Sequence, residues 1–90
     1  MYGKKPAPRY TVTVVVPTTD SRFEGDGLMN LEDGLAKTLE QFGTVERTGF
    51  SSVKGGRSIR ATLATYSIPG DVKRATEDYA LLPATVRRLG

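Results

Sequence analysis

From Tyr10 onward Val12, Val14 and Val16 alternate with Thr11, Thr13 and Val15. A period of two rich in β-branched residues predicts a strand over residues 10–16. The Tyr10, Val12, Val14 and Val16 face is expected to meet the core, and the Thr11, Thr13 and Val15 face to look outward. Pro17 ends the strand because it has no N–H for the ladder. Residues 18–27 then read as a polar loop with two glycines and three acids. Here the period changes. Leu28, Leu31, Leu35, Leu39 and Phe42 recur at helical spacing and predict one buried helix face. Asn30 is the expected N-cap, with Asp33 three positions on, and Gly43 the expected C-terminal stop. Gly34 inside this helix costs about 1 kcal/mol against Ala, which a close packing contact would offset.

Residues 44–52 read as a weaker strand interrupted by Gly49. Lys54-Gly55-Gly56-Arg57 reads as a hairpin tip whose two glycines permit positive φ. Residues 58–68 alternate again, with Ile59, Ala61 and Leu63 on one face and Arg60, Thr62, Ala64 and Tyr66 on the other. A bulge near Tyr66 would exchange the faces there. Pro69 and Gly70-Asp71 open a second helix with Val72, Ala75, Tyr79 and Leu82 as its stripe. Pro83 ends it, and residues 84–89 form a last strand. The order is βαββαβ. Right-handed crossovers turn it into an α+β, ferredoxin-like sandwich: a four-stranded antiparallel sheet with two helices on one face. This single domain is expected over residues 10–90, after a flexible basic N-terminal arm over residues 1–9.

Composition narrows the chemistry. Ninety residues with 38% hydrophobic and 26% charged content suit one modest core. Neither cysteine nor histidine occurs. Disulfides, thiolate nucleophiles, Cys-based metal sites and the usual general base near neutral pH are thereby removed. The expectation is a non-enzymatic chain with no cofactor and no metal. The acids Asp20, Glu24, Asp26, Glu32 and Asp33 fall in the loop and first helical turn, where carboxylates serve capping and solubility. Ser51, Ser52 and the tyrosines have no base to activate them. Gly55-Gly56 stands in a hairpin rather than at a strand-to-helix turn, so no nucleotide-binding loop is read there. No apolar run reaches the roughly 18–20 residues that span a bilayer. No signal-type apolar stretch follows residues 1–8, so the cytoplasm is the expected location.

Charge is distributed unevenly. The formal net charge is +3, yet residues 20–40 carry −4 and residues 41–70 carry +3. Two binding surfaces follow. Lys54, Arg57 and Arg60, with Arg87 and Arg88, are the nucleic-acid candidates, since the guanidinium fork matches phosphate and stays charged. Gly55 and Gly56 let the hairpin backbone come close to a phosphate. The outward sheet face (Thr11, Thr13, Val15 and Tyr66) has one aromatic, too few for stacking of unpaired bases. It suits a protein partner or a second copy of the chain. The functional alternatives are thus an RNA-binding domain and a protein-interaction module, an adaptor or inhibitor of the kind viruses also make.

Pro69-x-x-Val72, the aromatic Tyr79 and the closing Val86-Arg87-Arg88 resemble the C-terminal half of small-subunit ribosomal protein family six. The opening Arg9-Tyr10, the strand that follows and Pro17 before a polar loop are similar as well. The resemblance implies ribosomal RNA binding beside a small protein partner, without catalysis, and places Arg87 and Arg88 in the family's closing arginine region. The chain departs from the family at the hairpin, which is shorter here and lacks the aromatic and basic stretch. It also stops at Gly90 without the basic C-terminal extension.

Overall fold

The structure, a computed structural model, describes residues 6–89. Strand β1 (Arg9–Pro17) leads through a 3-10 turn (Ser21–Phe23) to helix α1 (Gly27–Glu40). Strands β2 (Gly43–Val53) and β3 (Gly56–Thr65) form a hairpin, and helix α2 (Pro69–Ala80) connects it to β4 (Ala84–Arg88). The four strands make one antiparallel sheet in the order β2-β3-β1-β4. Each helix therefore joins strands that are not neighbours: α1 carries the chain past β3, and α2 carries it past β1. The fold is α+β, with both helices on one side of the sheet and no other described element covering the opposite side, the open face.

The alternation in β1 and β3 dictates where the core lies. Val12, Val14 and Val16 are buried opposite Ala61, Ile59 and Arg57 of β3, and Leu63 is buried opposite Tyr10. Leu28, Leu31, Leu35 and Leu39 of α1 close over them, with Val72 and Ala80 of α2 and Ala84 of β4. The leucine spacing in α1 is realised as one buried stripe. Its N-cap lies four residues earlier than Asn30, at Asp26, whose side chain makes no capping bond. The Asn30 N–H instead donates to the Asp26 carbonyl at 2.9 Å. Extending the helix to Gly27 is what turns Leu28 inward, and packing of an apolar face outweighs a favourable cap.

Helix α2 is rotated relative to its expected stripe. Val72, Thr76 and Ala80 are buried, whereas Tyr79 is 38% exposed. Thr76 is tolerated in the core because its hydroxyl donates to the Val72 carbonyl at 2.8 Å, which satisfies it locally. Tyr79 lies across Gly34, where a Cβ would fall on its ring and hydroxyl. That is the close contact the helical glycine required. Pro69 occupies the first turn of α2 after Ile68, a position where its missing N–H costs nothing.

Strand β3 stops at Thr65, short of the expected Ile68. The Thr65 hydroxyl donates to the Phe42 carbonyl at 2.6 Å and accepts from the Ser67 N–H at 2.9 Å. These bonds turn the chain out of the sheet. The hairpin turn is the pair Lys54-Gly55. Of its two expected glycines only Gly55 has positive φ, at +82°, while Gly56 pairs with Val53 and Pro17 inside the sheet. Of the expected arm, residues 1–5 lie outside the described residues, while Pro8 accepts from Thr65 N–H at 3.0 Å and Arg9 opens β1. No helix among the described residues is long and apolar enough to cross a membrane.

The end of α2 is held by Glu77, whose carboxylate accepts from Ala84 N–H and Lys73 Nζ, both at 2.9 Å. The Ala84 N–H first, and the Lys73 ammonium second, hold the Glu77 carboxyl below the usual carboxylate range. Leu81 terminates the helix in the left-handed region, φ 58° and ψ 31°, with its N–H on the Glu77 carbonyl. It is 79% exposed, so it gains little from burial to offset a conformation that disfavours a Cβ. Leu81→Gly is expected to raise stability by about 0.5–1 kcal/mol, read as a higher urea midpoint at unchanged slope. A lower midpoint would show that the leucine side chain supports the helix end after all.

Candidate nucleic-acid interface

The register of the open face brings arginines from three strands into adjoining rows. Thr11 of β1 pairs with Thr62 of β3 on one side and Arg87 of β4 on the other, and Thr62 pairs with Arg47 of β2. Arg47, Thr62, Thr11 and Arg87 thus form one row straight across the sheet. At the usual strand separation its two arginine Cα atoms stand about 14 Å apart. The next row is Gly49, Arg60, Thr13 and Thr85. All of these positions alternate with the buried residues of their strands and so lie opposite the helices.

Arg47 reaches this face through an irregularity. The pairing slips between Val45, opposite Leu63, and Arg47, opposite Thr62, leaving Glu46 as the extra residue of a bulge. Without the bulge, Arg47 would share the side of Val45. Glu46 turns to the open face too, where its carboxylate pairs with Arg9 Nε at 3.0 Å. The Arg9 charge is therefore already compensated. Arg60 Nη2 donates to Ser51 Oγ at 2.7 Å, which orients its guanidinium and leaves other donors free. Among the described residues, Arg47 and Arg87 have no ion-pair partner. Between Arg47 and Arg60 lies a shallow depression of about 240 Å³, lined also by Thr11, Thr48, Gly49 and Thr62.

The residues singled out from the sequence are divided by this geometry. Arg60 and Arg87 share the open face. Arg57 pairs with Val16, and Arg88 with Tyr10, so both project on the helix side of the sheet. Lys54 stands at the hairpin turn. Thr11, Thr13 and Val15 do share the open face, whereas Tyr66 follows the end of β3 and is exposed. Arg47, the arginine beside Arg60, was not among the expected contacts. The strands place no aromatic on the open face: Tyr10 is buried, and Phe50 lies opposite Ile59 on the helix side.

In the acidic loop, Asp20 has a structural role. Asp20 accepts from Arg22 N at 2.8 Å, Nε at 3.1 Å and Nη2 at 3.0 Å. The Arg22 side chain and then its backbone N–H hold the Asp20 carboxyl below its usual range. This caps the 3-10 turn. No group of three or more His, Cys, Asp or Glu residues is placed to hold a metal among the described residues. Comparison with family models, curated proteins and solved structures finds no match for the chain.

Proposed function

We propose that the chain is a non-enzymatic RNA-binding domain of the ferredoxin-like kind, using its open sheet face to hold phosphates. The carrying observation is the placement of Arg47, Arg60 and Arg87 on three strands of that face among threonine hydroxyls. The βαββαβ order, with both helices on one side, supports the ferredoxin-like reading. The likeness of Arg9-Tyr10, Pro69-x-x-Val72 and Val86-Arg87-Arg88 to small-subunit ribosomal protein family six supports RNA as the polyanion and a neighbouring protein as company.

Contact here is with backbone rather than base. Phosphate contacts release counterions, so affinity falls with salt in proportion to the phosphates neutralised. A labelled, structured RNA titrated by fluorescence anisotropy should bind at low salt, with log K falling against log salt by about 0.7–0.9 for each phosphate neutralised. Absence of binding at low salt, or a flat slope, overturns the reading. A protein partner is the second reading, favoured by Val15 and Val53, which are 45% and 39% exposed on the strands of the open face. It would show itself as a concentration-dependent dimer without salt-sensitive RNA binding.

A further inference from the structure

Gly49 is a glycine that the fold does not require. It stands in the middle of an edge strand, where glycine weakens pairing and packs nothing. Its φ is not in the positive region, and no atom lies within 4 Å of the place a Cβ would occupy. Gly56, by contrast, faces the Val16 carbonyl and has no room for a side chain. The missing side chain at Gly49 instead opens the depression between Arg47 and Arg60. Arg60 is its neighbour across the strand pair, and Arg47 is two positions along β2.

We propose that this notch seats a single phosphate group of the bound RNA, between the guanidinium groups of Arg47 and Arg60. The inference rests on the RNA reading and gives that reading a specific place. Ser51 fixes one end of the Arg60 fork at 2.7 Å, so the remaining donors meet the anion with less ordering to be done. Arg47 supplies the second fork, and Thr11 and Thr62, which also line the notch, bring hydroxyls that can act as neutral donors. Arg87 stands at the far end of the Arg47 row and meets a different phosphate. Because the seat recognises a phosphate and the strands of the face carry no aromatic toward it, recognition is independent of base sequence.

Gly49→Val tests the seat without attacking the fold. Valine favours strands and its Cβ meets no neighbour there, so the melting temperature should hold or rise, while the notch is filled. In the wild-type chain, inorganic phosphate should shift the Gly49 amide and the Arg47 and Arg60 Nε–H resonances, and in the variant the arginine shifts should vanish. RNA affinity should fall roughly tenfold, as for the loss of one charge-assisted contact, with the salt slope shallower by about one phosphate. Arg47→Ala, which empties the seat without filling the notch, should give the same loss. If both variants bind RNA as the wild type does, with the same slope, the seat is wrong while the wider reading stands. If the wild-type chain binds no RNA, both fall together.

Discussion

Leu39→Ala is expected to remove about 3 kcal/mol of folding free energy. Leu39 is fully buried in the cluster that joins α1 to the sheet. Truncation loses the transfer free energy of the deleted carbons and leaves a space that close-packed neighbours fill only in part. A domain of this length has roughly 5–10 kcal/mol in all, so this one change takes a third or more of it. The melting temperature should fall by roughly 12–24 °C, measurable by far-UV circular dichroism, with a matching drop in urea midpoint. A loss below about 1 kcal/mol would mean that α1 does not pack through Leu39 as described.

The second large effect concerns binding. Replacing Arg47, Arg60 and Arg87 together with alanine should weaken RNA binding roughly 100- to 1,000-fold at low salt. The salt slope should flatten almost completely, because the phosphate contacts of this face disappear. All three side chains are exposed, so thermal stability should change little. The informative control is Arg57→Ala with Arg88→Ala, which removes two positive charges from the opposite side of the sheet. Its effect should be several-fold at most. If the control weakens binding as much as the triple variant does, net charge rather than one face is responsible, and the assignment of the face fails.

Much of the fold could be read from local pattern. The Tyr10–Val16 alternation, the α1 leucines, Pro69 and the glycine that needed a close contact each report on their own neighbourhood. The phase of α2 could not be read this way. Thr76 is polar by composition, but a bond to its own helix makes it suitable for the core, while Tyr79 looks like core and lies over Gly34 near the surface. The proposed interface was less legible for a stronger reason. Adjacent residues in a strand point to opposite faces, so Arg87 and Arg88 could not both belong to it. Arg47 was hidden by the bulge at Glu46, since strict alternation from Val45 turns it toward the helices. The row from Arg47 to Arg87 exists only through the registers of three strand pairs, which no local spacing encodes.

The strand order bears on how the chain holds together. β1 and β2, joined by α1, are separated in the sheet by β3, and β3 and β4 are separated by β1. Each half of the chain therefore has a vacancy one strand wide that only the other half can fill. Neither half can bury its helix over a continuous sheet alone. The two central strands come from different halves, so they are gained or lost together. The strands and helices between Arg9 and Arg88 are thereby expected to fold as a single cooperative unit, with partial openings at the hairpin turn, the helix ends and the β4 edge.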